Sequence, residues 1–172
     1  SSVLACQYWQ AYLRWHLVRH AAPYLSEAFV AEDFAFNGRI LTGATEQKPR
    51  WKRIVGVVDG EIGEALGQLY VADYFPPEAK VRMAKLVEDL RASLHDRINA
   101  LEWMDAPTKE KAQAKLAAFG VKIGYPDQWR DYSSVKITRD DYYGNVVRAD
   151  AFDVSRRLAR IGQAVDRREW GM

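Results

Sequence analysis

Met83, Val87, Leu90, Leu94, Ile98 and Leu101 recur at spacings of 4, 3, 4, 4 and 3. Only an α-helix brings residues at those intervals back to one face. Glu88, Asp89, Arg91, Asp96 and Arg97 fall on the other faces, so the segment reads as a long amphipathic helix. Pro76-Pro77 precedes it and separates it from a second periodic run. That run places Trp51, Ile54, Val55, Val58, Ile62, Leu66, Leu69 and Tyr70 at helical spacing, with Pro49 suited to its first turn. Gly56, Gly60, Gly63 and Gly67 lie within it. Each costs a helix about 0.5–1 kcal/mol relative to Ala, so their presence predicts close packing against a neighbour.

The rest of the chain follows suit. Tyr8, Tyr12, Trp15 and Arg19 share a face of a helix predicted from about Leu4 to Ala22, ended by Pro23. Ser26 is a suitable N-cap for a helix through Phe29, Phe34 and Phe36 towards Gly43. Asp105 is a second N-cap, with Pro107 in the first turn, Ala112, Leu116 and Phe119 following, and Gly120 placed to close the helix. Residues 121–126 alternate like a short extended segment ending in a proline turn. A last helix is predicted from near Thr138 through Tyr142, Val146, Phe152 and Leu158 to about Ile161. The expected fold class is all-α, mainly helical, with a short extended segment near 121–137.

Composition narrows the function. Hydrophobic residues make up 48% and charged residues 28% of the 172, a globular rather than disordered balance. Six Trp and nine Tyr are many for a plain bundle, and aromatics of that number suit an interface with another domain. The net charge of +2 comes from interleaved rather than clustered basic residues, which argues against nucleic acid as a partner. One cysteine, Cys6, excludes an internal disulfide. The first residues run straight into a helical pattern, so the N-terminus reads as a cut rather than a beginning.

The sole arrangement resembling metal chemistry is His16-Leu17-Val18-Arg19-His20, two histidines one turn apart on a helix. A zinc peptidase of the H-E-x-x-H kind needs a glutamate after the first histidine as general base. Here that place is Leu17, and Arg19 would set a positive charge beside the ion. The pair is therefore taken as surface or half-buried histidines, and no metal ligand, cofactor-binding or catalytic residue is assigned in this chain. Cys6 lies ten residues from His16, about three helical turns, too far to be activated by it. His95 stands alone among charges, and Glu32-Asp33 and Asp140-Asp141 read as helix-start or solvated carboxylates.

Several stretches carry a resemblance. Pro49-Arg50-Trp51-Lys52-Arg53, Ala65-Leu66-Gly67-Gln68-Leu69-Tyr70-Val71 with Phe75, Leu101-Glu102-Trp103-Met104-Asp105 with Thr108-Lys109, Ala112 and Lys115-Leu116, Ile123-Gly124-Tyr125-Pro126-Asp127, and Val165-Asp166-Arg167 with Glu169-Trp170 occur in that order. Together they resemble the neprilysin and endothelin-converting-enzyme family of zinc metallopeptidases across nearly the whole chain. The resemblance implies a zinc endopeptidase of small peptides, with a catalytic domain facing a mostly helical second domain. Its zinc-binding helix, third ligand and substrate-binding segment would all fall after Met172, so zinc is expected in the parent enzyme and none in this chain. Animal members commonly carry a cysteine directly after R-W-x-R. Ile54 stands there, which suggests a bacterial-type member, with a periplasmic or cell-envelope location favoured over the cytoplasm.

On that resemblance residues 1–120 would form a helical chamber wall and 121–172 a crossing towards the absent catalytic domain. The expected partners are peptide substrates through the parent enzyme, the missing catalytic domain, and other copies of the fragment by self-association. The alternative is a non-catalytic helical module that binds a peptide or protein, and a third reading is a degenerate member whose catalytic half has lost its ligands.

Overall fold

The computed structural model describes residues 2–170, with side chains from Cys6 onward. Among them every regular element is helical: α1 (Ser2–Ala21), a 3-10 turn (Ala22–Tyr24), α2 (Glu27–Asp33), a π-helical stretch (Phe34–Ile40), α3 (Arg50–Tyr74), α4 (Pro77–Ala100), α5 (Ala106–Ala117) and α6 (Tyr142–Ala159). The all-α expectation holds. The 121–137 segment is irregular, because no strand lies beside it to take its backbone groups. The chain divides into two compact units. One comprises Ser1–Ile62 and Asp131–Ala164, the other Gly63–Arg130 and Val165–Met172.

Local chemistry explains most boundaries. The Asp105 carboxylate accepts the Thr108 N–H at 2.9 Å, capping α5 as its spacing predicted. Pro77 occupies the first turn of α4, where its missing N–H leaves nothing unpaired. Asp141 caps α6 by accepting from Gly144 N at 3.1 Å, so the helix starts at Tyr142, four residues after Thr138. Ser26 sits at the N-cap of α2 with an extended backbone, but its hydroxyl makes no cap bond; its carbonyl takes the Phe29 and Val30 N–H groups instead.

Three expectations need correction. α5 ends at Ala117, and Ala118 keeps a right-handed conformation (φ −82°, ψ −5°), so Gly120 is not its left-handed stop. Carbonyls of Ala114, Lys115 and Leu116 are taken up by the N–H groups of Ala118 and Phe119, which tightens the last turn and removes the need for a glycine. The periodic run of α3 is broken at Ile62 (φ −134°, ψ 39°), next to the buried Gly63. Of its glycines only half are close-packed: Gly63 is buried and a Cβ on Gly67 would lie 3.3 Å from the Trp129 ring, whereas Gly56 and Gly60 face open space. The π-helical stretch was not foreseen. There the Phe34 ring lies over Gly38, in space that any side chain at 38 would overlap.

Burial is sparse. In the first unit Ala21, Ala22, Val30, Val146 and Ala149 are buried apolar residues, and in the second Leu116 and Pro126. The face of α4 that most constrains the sequence is largely open, with Met83, Leu90 and Leu94 exposed. α5 is tied to α4 mainly by polar side chains. Gln113 Nε2 donates to the His95 carbonyl (2.8 Å) and Asn99 Oδ1 (2.9 Å), Lys109 Nζ to the Asn99 carbonyl (2.7 Å), and Arg91 Nη2 to the Leu116 carbonyl (3.3 Å).

Candidate functional site

The second unit is organised around the loop after α5. Lys80, near the start of α4, donates to the Tyr125 carbonyl at 2.8 Å and to Asp127 Oδ1 at 2.7 Å, and its ammonium lies 4.2 Å from the centre of the Tyr125 ring. Tyr125 stacks on Trp129 with centroids 5.7 Å apart, and Phe75 meets Tyr125 edge-on at 5.9 Å. Gly124 has φ +72°, and a Cβ there would lie 2.7 Å from Phe75. The turn therefore needs glycine for both conformation and space. Glu64, 5% exposed on α3, accepts the Arg130 backbone N–H at 2.6 Å and faces the Arg130 guanidinium at 3.1 Å. One lysine and one buried carboxylate thus pin both ends of residues 125–130.

In the first unit a carboxylate and tyrosine cluster gathers where α1 ends beside α3 and α6. His20 Nε2 lies 3.8 Å from Asp150 Oδ2, and the Tyr24 ring contacts His20, Tyr142 and Tyr143. Partial burial, then the nearby Asp150 and Asp153 charges, raise the Glu61 carboxyl above its ordinary value, with His20 pulling the other way. Burial first, then Glu61, raises the Tyr24 phenol, and burial raises Tyr142 against the pull of Arg50 and Arg53. Asp153 is held below the ordinary carboxylate range, chiefly by its hydrogen bond from Arg156. Glu61, Tyr24 and Asp150 were not singled out from the sequence: they come from three distant stretches, and no spacing rule joins them.

The residues weighed from sequence stay apart. Cys6 is exposed, and its sulfur accepts from Gln10 Nε2 at 3.7 Å, with His16 ten residues further along the helix. The His16 ring rests on Tyr12 at 4.2 Å between centroids, while His20 turns towards Asp150, so the two histidines of the pair have different neighbours. His95 Nδ1 lies 3.2 Å from the adjacent Asp96 carboxylate at an exposed position. Among the described residues no three His, Cys, Asp or Glu side chains converge as a metal would require. A zinc ion therefore does not fit the donor set of these residues, and the arrangement offers no nucleophile with a base beside it.

Among the described residues the regular elements are all helical, in the order given above. Residues 4–126 match peptidase family M13, and the chain belongs to that family. It is 30% identical over 164 residues to neprilysin of Oryctolagus cuniculus, covering 91% of this chain and 22% of that protein. It is 29% identical over 170 residues to an endothelin-converting enzyme homolog of Locusta migratoria, covering 94% and 23%. Among solved structures it resembles the zinc metalloprotease Zmp1 of Mycobacterium tuberculosis. The open-state cryo-EM structure matches with 49% identity and a TM-score of 0.89, covering 95% of this chain and 25% of that one. The inhibitor-bound crystal structure matches with 48% identity and a TM-score of 0.79. The chain thus spans between a fifth and a quarter of the length of these relatives. Among the described residues no helix is long and apolar enough to cross a membrane.

Proposed function

We propose that this chain is the helical, substrate-restricting part of a zinc metalloendopeptidase, and that the zinc ligands of that enzyme lie outside these residues. The carrying observation is a contrast. The chain follows a quarter of a zinc metalloprotease at 49% identity, yet its described residues bring no three metal-binding side chains together. Residues 1–120 would wall the chamber in which peptides are cleaved, and 121–172 would cross towards the catalytic domain. The clasp of Lys80 and Glu64 on residues 125–130 would anchor the start of that crossing to α3 and α4. Peptides are the proposed substrates, and the periplasm or cell envelope the proposed compartment.

Two measurements test this reading. Equilibrium dialysis of the 172-residue chain should give no stoichiometric zinc and no change with His16→Ala or His20→Ala; one zinc per chain lost in either variant would overturn it. In the intact peptidase, excising residues 1–120 should relax the preference for short over long peptides. A preference unchanged by the excision would remove the walling role.

A further inference from the structure

Asn37-Gly38 lies inside the π-helical stretch Phe34–Ile40. Such geometry is rare, and within helices it tends to mark strained or functional places. The Asn37 side-chain amide donates from Nδ2 to Asp33 Oδ1 at 2.6 Å. A Cβ at Gly38 would overlap the Phe34 ring, so the position is confined to glycine. The Gly38 carbonyl accepts the Thr42 hydroxyl at 2.6 Å and the Ala44 N–H at 3.2 Å, which ties the following turn to the stretch. Both residues of the dipeptide are half-buried, so solvent reaches them.

A glycine after asparagine leaves the backbone nitrogen unshielded, because no Cβ stands beside it. The Gly38 nitrogen, losing its proton to solvent base, bonds to Asn37 Cγ. The Cγ–Nδ2 bond breaks and Nδ2 leaves as ammonia. Water then opens the resulting succinimide at either carbonyl, giving an aspartate or an isoaspartate at that position. Asn99 and Asn145 precede Ala100 and Val146, whose side chains crowd the same approach. In the folded chain the helical backbone restrains the Gly38 nitrogen, so attack requires the stretch to open.

We propose that Asn37 is a spontaneous modification site, and that loss of its amide is a one-way switch releasing the π-helical stretch and the 41–49 segment that leads into α3. The contacts on each side give the conversion its effect. An aspartate product sets a second carboxylate against Asp33 where an N–H now donates, and like charges one helical turn apart repel. An isoaspartate product adds a carbon to the main chain just before Gly38 and carries its carbonyl away from Thr42 and Ala44. Neither product reverts when the stretch closes again.

The test ages the 172-residue chain in mildly alkaline buffer, folded and in urea, and maps the change from amide to acid by peptide mass spectrometry. Asn37 should convert ahead of Asn99 and Asn145 in both, and more slowly when folded. Earlier conversion of Asn99 or Asn145 in the folded chain removes the site, and so does a folded Asn37 that stays intact while the unfolded one converts. The effect is read on Asn37→Asp, which mimics one product. Amide exchange across residues 34–44 should speed about fivefold or more, and return to within about twofold of the parent in Asp33→Asn/Asn37→Asp. Unchanged exchange in Asn37→Asp, or a double variant as fast as the single one, would overturn the switch. Should Asn37→Asp fail to fold, the aged chain is split by ion exchange and its converted and unconverted fractions are compared. Faster exchange across 34–44 in the converted fraction supports the switch, and equal exchange overturns it.

Discussion

Glu64 and Gly124 show how much one side chain, or its absence, can carry. Glu64 is the buried carboxylate of the second unit, held by the backbone and guanidinium of Arg130. Breaking a buried pair from one side costs about 3–5 kcal/mol, and Arg130 keeps some contact with water, so Glu64→Ala should cost about 2–3 kcal/mol. Glu64→Gln keeps one oxygen acceptor and should cost about half as much. Urea unfolding of the two variants checks the order. Gly124→Ala must hold a left-handed backbone and push on Phe75, so a loss of about 2 kcal/mol or more is expected. The same change at Gly60, which faces open space with no positive φ, should be neutral or stabilising, and thermal unfolding distinguishes the two. From sequence alone these glycines differ only in context: Gly124 stands in a turn before proline and Gly60 in a helical run. The space around each is a property of the packed structure.

At the scale of elements, two junctions matter. The clasp between α4 and the 121–130 loop joins an ion pair to an exposed aspartate with a hydrogen bond to a backbone carbonyl. Asp127 is 94% exposed, so its pairing with Lys80 is screened, and Asp127→Asn should change stability by less than about 0.5 kcal/mol. Lys80→Met also strips the Tyr125 carbonyl and ring of their cation, and should speed amide exchange across residues 122–130 markedly more than Asp127→Asn does.

The other junction is the cluster of Glu61, Asp150, Asp153 and His20. A carboxyl raised in the folded state binds its proton more tightly there than when unfolded. Its contribution is therefore fully present below the unfolded value near 4.5 and is lost as pH rises through the folded value. Glu61→Gln should accordingly melt higher than the parent at pH 7, with the difference shrinking as pH falls towards 4. Asp153 works in the opposite direction: its pKa is depressed, so its support is present above the unfolded value near 3.8 and fades as pH drops below it. A gap in melting temperature that is constant across that range would sink the Glu61 account.

For the molecule as a whole, the shortage of burial dominates. A chain of 172 residues can bury roughly 70% of its unfolded surface, and this one leaves much of that apolar area open. In isolation it should bind a hydrophobic dye and unfold with a urea dependence well below that of a compact domain of its length, because less surface is newly exposed. Both properties should move to ordinary values when the chain sits within a full-length M13 polypeptide. A sharp, dye-negative transition of the isolated chain would show that its surface is already covered.

Sequence by itself determined the helices, because periodicity, proline and capping residues act over a few neighbours: Asp105 and Pro77 do in the structure what their positions predicted. It also determined the family, through short ordered stretches that run across nearly the whole chain. Only the tertiary structure decided which faces are covered, that α3 breaks at Ile62, and that Glu61 feels the charges of Asp150 and Asp153. Those outcomes depend on contacts between residues far apart in the chain, and the cost of burying or crowding a group arises only once such contacts exist.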